Sequence, residues 1–150
     1  MTSRRELHQA EDAAWEDLLD VVESFTAGQL EEPGYFEEGW SAKDLLAHIG
    51  SWQAEAGRVL MQIRVGTFDP GGVDVDALNR QFYESNKDLP LSVVRAECWA
   101  ARTRMIMEMN ALPEVTKDAE EWFVESGAVH YQEHLPRLRS WLDEVRSRPA

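Results

Sequence analysis

The clearest helix signal in this 150-residue chain comes from residues 40–63, which read WSAKDLLAHIGSWQAEAGRVLMQI. Ser41 is a favoured N-cap residue, and Asp44, three residues later, fits the acidic partner of a capping box. Apolar side chains then recur at spacings of three and four and form one stripe that ends before Gly66: Leu45, Ile49, Trp52, Ala56, Val59, Leu60 and Ile63. The segment therefore predicts a long amphipathic helix with one buried face.

Three further segments show the same spacing and predict three more helices. The first covers residues 7–25 and is expected to stop at Gly28, since glycine commonly ends helices. Another covers residues 92–112 and is followed by proline. The last covers residues 124–145, with a kink expected at Pro136 because proline cannot donate a backbone hydrogen bond.

The second and third predicted helices are separated by residues 67–90, which are too many for a helical hairpin loop of about 2–8 residues. This connection contains Asp69-Pro70-Gly71-Gly72 and a short helical stretch over residues 75–86. We therefore predict an all-α fold, a four-helix bundle with a long crossover between helices 2 and 3. Its length fits a single domain over residues 1–150.

The composition argues against several classes of partner. Fifteen Lys and Arg stand against 28 Asp and Glu, a formal net charge of −13, and such a surface repels nucleic acid and anionic lipid. No stretch reaches the roughly 18–20 apolar residues that span a membrane. The single cysteine, Cys98, cannot form an internal disulfide. We expect a cytoplasmic protein without nucleic-acid or membrane partners.

Three of the four histidines are candidates for a metal site. His130 and His134 are four residues apart and project from one helical face, while His48 flanks the apolar stripe of its own helix. Neutral imidazole binds zinc, nickel, iron or copper, and three such ligands leave a position open, as in catalytic sites. Spacing alone leaves open the alternative of half-exposed histidines that hydrogen-bond to neighbours. His8 has no partner at ligand spacing and is expected at the surface.

Other side chains have both a structural and a functional interpretation. Trp52 and Trp141 either wall a pocket above a metal or fill the core, and helical spacing favours the core. Glu55 shares the face of His48 and could accept an imidazole N–H, whereas Glu133 is expected on a solvated face. Cys98 occupies a stripe position and is expected to be an inert core residue.

Two segments resemble the histidine motifs of the DinB-like superfamily, namely GWSAKDLLAHI (residues 39–49) with Trp52 after it, and HYQEHL (residues 130–135). Residues 76–79 and 86–90 are similar to the connector that precedes the third helix in that group. The superfamily includes the mycothiol-dependent maleylpyruvate isomerase N-terminal domains and the ClbS/DfsB-type proteins. The resemblance extends over essentially the whole chain.

The resemblance implies a bundle of crossover topology, frequent homodimers, and a divalent metal ion, zinc or nickel, on His48, His130 and His134. It also implies a low-molecular-weight thiol as co-substrate. We therefore expect a metal-dependent transferase, isomerase or hydrolase that acts on a small electrophilic metabolite. The alternatives are a non-catalytic metabolite-binding or self-protection protein of the ClbS type and a structural dimer with a vestigial site. No catalytic residue and no particular substrate can be assigned from the sequence.

Overall fold

The fold is known from a computed structural model that describes residues 2–36 and 39–149, and within those ranges it is entirely helical. Seven helices follow one another: α1 (Arg4–Glu23), α2 (Ala27–Leu30), α3 (Ala42–Val65), α4 (Val75–Asn86), α5 (Leu91–Ala111), α6 (Lys117–Ser126) and α7 (Ala128–Ser147). The long helices α1, α3, α5 and α7 form the predicted bundle. None of the helices in these ranges is both long and apolar enough for a membrane span.

Helices α3 and α5 form the most extensive pair, and they run parallel. A Cβ atom added to Gly50 would lie 3.1 Å from the Cα atom of Cys98, and one added to Gly57 would lie 3.6 Å from the backbone nitrogen of Met105. The contacts therefore advance in the same direction along both helices. Because parallel neighbours cannot be joined by a tight turn, residues 66–90, with α4 among them, return the chain to its starting end. The predicted crossover is confirmed.

Helices α1 and α7 form the second parallel pair. The Tyr131 hydroxyl donates to Glu11 Oε2 at 2.8 Å, and thirteen to fifteen residues further along both helices Arg146 Nη2 donates to the Ser24 carbonyl at 3.2 Å. Apolar side chains from the two pairs meet in the middle of the bundle and bury one large core cluster, with a second cluster under α6.

The start of α3 follows the predicted capping box, and this start sets the direction in which His48 projects. Ser41 Oγ accepts from the Asp44 backbone N–H at 3.2 Å, and the Ser41 N–H donates to Asp44 Oδ2 at 2.9 Å. Gly66 ends the helix with φ of +81°, a left-handed conformation that costs glycine little. Asp44 is thus the acidic partner of the capping box in the described structure.

The predicted end of the first helix was wrong. Helix α1 ends at Glu23, and Gly28 lies inside the separate four-residue helix α2. The reason is local: Thr26 accepts from the Gln29 N–H at 3.1 Å while Gln29 Oε1 accepts from the Thr26 N–H at 2.9 Å. This second capping box restarts a helix where a stop was expected.

The helix predicted over residues 124–145 is in fact divided between two helices. Helix α6 ends before Gly127 and α7 begins after it, so Val124 belongs to α6. Gly127 has φ −108° and ψ −111°, and a Cβ atom there would lie 2.7 Å from the Phe123 carbonyl oxygen. Helix α7 continues through the exposed Pro136, where the expected kink stays a prediction. The single domain over residues 1–150 also stays a prediction, and its ends, Met1 and Ala150, lie outside the described residues.

Two glycines of α3 offer a test of the close packing against α5. Gly50→Ala places a methyl group 3.1 Å from the backbone of Cys98, so we expect a loss of about 1–3 kcal/mol in the free energy of unfolding. Gly57→Ala meets atoms at ordinary distances of 3.6 Å or more and should gain up to about 1 kcal/mol from helix propensity. Urea titrations measure both changes. A stabilising effect of Gly50→Ala would contradict the close approach of α3 and α5.

Candidate metal centre

The three predicted histidines meet where α3 faces the first two turns of α7. One ring nitrogen of each lies within 4.8 Å of the others. The Nε2 atoms of His48 and His130, which are 82 residues apart in sequence, are separated by 3.0 Å. His134 lies one turn after His130, with its ring centroid 5.4 Å from that of His48 and 4.9 Å from that of His130. The structure therefore brings the predicted set together, while metal binding by it stays a prediction.

Burial keeps the three imidazoles neutral. Desolvation, aided by the neighbouring His134, lowers the pKa of His48 to about 4. Desolvation, with His48 and His134 nearby, lowers the pKa of His130 to about 3. Burial also lowers the pKa of His134. At neutral pH each ring therefore keeps a lone pair for a metal ion.

The spacing of these rings suits a divalent ion. Zinc–nitrogen bonds of about 2.0–2.1 Å place two ligands of a tetrahedral site roughly 3.3 Å apart, a few tenths of an ångström more than the His48–His130 separation. The Nδ1 atoms of His48 and His130 are buried and have no hydrogen-bond partner within residues 2–36 and 39–149. Besides the contact between the Nε2 atoms of His48 and His130, the rings are held by packing: His48 packs against Trp40, and His134 packs edge-on against Phe36.

The histidines lie between two cavities. The first, about 470 Å³, is named here the indole cavity and lies between Trp52 of α3 and Trp122 of α6. The second, about 590 Å³ and named the Tyr83 cavity, is bordered by Trp40 and Tyr83, whose rings stack at 4.9 Å. His48 and His134 line both cavities. A small molecule in either cavity therefore reaches the candidate centre.

Trp52 and Trp141, which the sequence placed either in a pocket wall or in the core, have different roles. Trp52 lines the indole cavity, where its Nε1–H donates to Asn79 Oδ1 at 2.8 Å, so the preference for core packing was wrong for this residue. Trp141 is only 2% exposed and belongs to the large core cluster. The core interpretation is confirmed for Trp141.

The remaining candidates have structural partners or lie at the surface. Glu55 forms an ion pair with Arg58 on its own helix, so its interpretation as an acceptor for His48 was wrong. Glu133 is exposed, as predicted, and lies on the rim of the indole cavity. His8 is half-buried and packs edge-on against Phe123 at 5.2 Å, so the prediction of a surface residue was wrong.

A buried polar network next to the histidines was not predicted. The Arg102 guanidinium donates to both carboxylate oxygens of Glu11 at 2.8 and 2.6 Å. Tyr131, the neighbour of His130, donates to the same carboxylate, and Gln53 donates to the Tyr131 hydroxyl at 2.7 Å. Cys98 approaches Gln53 Oε1 at 3.5 Å, and burial raises the pKa of its thiol to about 12. The network joins α1, α3, α5 and α7, and Cys98 is the inert core residue that was expected.

A signal for this network was present in the sequence. Glu11 lies four residues after Leu7 and three before Ala14, which is a position in the apolar stripe of its helix. Arg102 has the same placement in the stripe of α5. Because charged residues are rarely buried unless they are paired, opposite charges in two stripes indicate a buried ion pair.

Comparisons with known proteins agree with this architecture. Residues 12–146 match the family described as the mycothiol maleylpyruvate isomerase N-terminal domain. Among solved structures, the chain is similar to an uncharacterised protein from Escherichia coli UTI89, with a TM-score of 0.81 and 16% identity over 97% of this chain and 96% of that chain. At that identity the likeness shows the fold alone. A search of curated proteins gave no significant match.

Proposed function

Because this chain belongs to the mycothiol maleylpyruvate isomerase N-terminal domain family of the DinB-like superfamily, we propose that it is a divalent-metal-dependent enzyme acting on a small electrophilic metabolite. The observation that carries the proposal is the group of three neutral imidazoles, one buried and two half-buried, with ligand atoms within 4.8 Å of one another, between two cavities. The reaction class is thiol-dependent transfer or isomerisation, or hydrolysis.

His48, His130 and His134 would hold zinc or nickel. When bound, such an ion lowers the pKa of a thiol or water ligand and so supplies a nucleophile at neutral pH. Three neutral ligands leave the full positive charge of the ion in place, which favours this acidification. They also leave at least one coordination position for a second molecule.

The nucleophilic thiol has to come from a co-substrate. Cys98 is the only cysteine in the sequence, and it is 1% exposed between α3 and α5. Burial raises its pKa to about 12, so the thiol stays protonated at neutral pH. A low-molecular-weight thiol in one cavity and an electrophile in the other would both reach the histidines.

A non-catalytic binding or self-protection protein is the second candidate. It is favoured by the size and the aromatic walls of the two cavities, since a pocket of about 300–1,000 Å³ with aromatic walls suffices to bind a small molecule. A cytoplasmic location and a homodimer are further proposals, drawn from the composition and from the family.

The decisive experiment combines metal loading with a thiol-transfer assay. Protein stripped by a chelator is reconstituted with Zn²⁺ or Ni²⁺ and incubated with mycothiol, or with cysteine, and monochlorobimane as the electrophile. We expect adduct formation at least about tenfold above background in the loaded protein alone, because lowering the pKa of the thiol raises the thiolate fraction at pH 7. His48→Ala is the matched inactive control. Equal rates in stripped and loaded protein would contradict the proposal, and binding of the electrophile without turnover would favour the second candidate.

A further inference from the structure

The two cavities both have aromatic walls, but the indole cavity has a negative charge that the Tyr83 cavity does not share. Glu121, Glu125 and Glu133 line it, and no lysine or arginine is among its lining residues in the described ranges. The Tyr83 cavity instead has one residue of each sign, Arg80 and Glu84. The indole cavity is therefore acidic, while the other is mixed in charge.

These carboxylates are largely available to a ligand. Glu121 contacts Lys117 at 3.8 Å in a pair whose two side chains are mostly exposed. Glu125 and Glu133 form no ion pair within residues 2–36 and 39–149. The formal net charge of −13 adds a negative potential over the whole surface. A cation near the mouth of the cavity is attracted, and a dicarboxylate is repelled.

The Trp52 side of the aromatic wall is held in place before any ligand arrives. The rings of Trp52 and Trp122 have their centroids 6.5 Å apart and are tilted by 33°, so they form an open angle. Trp52 is fixed by the hydrogen bond to Asn79 at 2.8 Å and by an edge contact with Phe82 at 5.3 Å. Indole faces attract cations through their quadrupole, and this attraction is strongest where water is partly excluded.

The inner end of the cavity is formed by the candidate centre. His130 lines it, is 8% exposed, and has a buried Nδ1 without a hydrogen-bond partner in the described part of the chain. A volume of about 470 Å³ accommodates a molecule that extends from the carboxylate rim to the histidines. Recognition at the rim and reaction at the histidines are thus separated within one cavity.

We propose that the indole cavity takes a substrate that carries a protonated amine or a quaternary ammonium group, with the cation against Trp52, Trp122 and the three carboxylates. The rest of the molecule reaches the histidines. That the bound molecule is a substrate rests on the proposed function. The binding of its cation needs no metal. The cavity selects against anionic electrophiles by like-charge repulsion.

Choline and its neutral isostere 3,3-dimethyl-1-butanol are suitable probes, since they differ in charge and hardly in shape. Each is titrated into ¹⁵N-labelled protein, and the indole N–H signals of Trp52 and Trp122 are followed by NMR. We expect choline to shift both signals and to bind about tenfold more tightly than the alcohol, a difference of about 1.4 kcal/mol. Equal affinities, or shifts at other tryptophans only, would overturn the proposal.

Two variants with the same charge change separate local from long-range attraction. The first variant removes the three carboxylates of the cavity, with the substitutions Glu121→Gln, Glu125→Gln and Glu133→Gln. It should abolish the preference for choline over the alcohol. The control variant removes the same number of charges from exposed positions on α1, with the substitutions Glu16→Gln, Asp17→Asn and Glu23→Gln. It should leave the preference for choline intact. A similar loss in both triple variants would overturn the proposal.

A third variant separates this inference from the proposed function. With His48, His130 and His134 all replaced by alanine, choline should still shift the Trp52 and Trp122 signals, although no metal site remains. Loss of the choline preference in this variant would contradict recognition at the rim. Failure of metal binding in the parent protein would sink the enzyme proposal and leave the cation site standing.

Discussion

Replacing His48, His130 or His134 with alanine is expected to abolish metal binding at the proposed site in each case. Loss of even an outer-shell partner of a metal ligand weakens binding by about 10–100-fold, so loss of a ligand should exceed about a hundredfold. Inductively coupled plasma mass spectrometry on purified protein should show about one zinc or nickel per chain in the parent and almost none in the variants. His8→Ala is the matched control, since His8 packs against Phe123 and has no ligand partner.

The same variants should lose thermal stability while they keep their helices. A ligand that binds only the folded state at a thousand times its Kd stabilises it by about 4 kcal/mol. A chelator should therefore lower the melting temperature of the parent and hardly affect the triple variant, with circular dichroism unchanged at 20 °C. Metal retained at full stoichiometry after loss of His48 would show that this histidine is not a ligand. The second candidate function would then be preferred.

Arg102→Met is expected to destabilise the core of the bundle strongly. It leaves the Glu11 carboxylate, which is 1% exposed, without its cation, and breaking a buried pair in this way costs about 3–5 kcal/mol. It also removes the guanidinium group from the face of Trp15 at 5.0 Å. Urea unfolding monitored by circular dichroism measures the loss.

A control pair and a double variant test the cause of this effect. Arg64→Met breaks the pair with Glu108 on the surface and should cost at most about 1 kcal/mol, because exposed pairs contribute little. Adding Glu11→Gln to Arg102→Met removes the buried charge and keeps an acceptor for the Tyr131 hydroxyl, so most of the loss should be recovered. A double variant as unstable as Arg102→Met alone would show that packing, and not the unpaired charge, is responsible.

The helices that carry the site were predictable because their information is local. Apolar residues spaced alternately three and four positions apart, such as Leu45, Ile49 and Ala56, share one face of a helix regardless of which element packs against that face. All three are buried in the structure. The capping box of Ser41 and Asp44 depends on residues three apart, and both of its hydrogen bonds are present. The pair His130 and His134 shares a face for the same reason.

Local patterns were insufficient where a non-local contact decides the structure. Helical spacing continues across Gly127, but a Cβ atom there would lie 3.3 Å from the Cγ atom of Glu11 on α1, and at this glycine the chain divides into α6 and α7. Trp52 and Trp141 have the same spacing signal, yet Trp52 lines the indole cavity and Trp141 is in the core. The difference depends on α4 and α6, whose positions over α3 cannot be derived from the sequence of α3.

The sequence by itself thus determined which faces of the helices are apolar, where most of the long helices begin, and which histidines share a face. Only the tertiary structure decided that His48 meets His130 across 82 residues, with Nε2 atoms 3.0 Å apart, and that Glu11 meets Arg102 across 91. The physical reason is that hydrophobic periodicity specifies that a face is buried but not its partner. Which helix packs against a given face depends on the tertiary arrangement, in which α3 lies parallel to α5 and α1 lies parallel to α7. The crossover between α3 and α5 permits this arrangement.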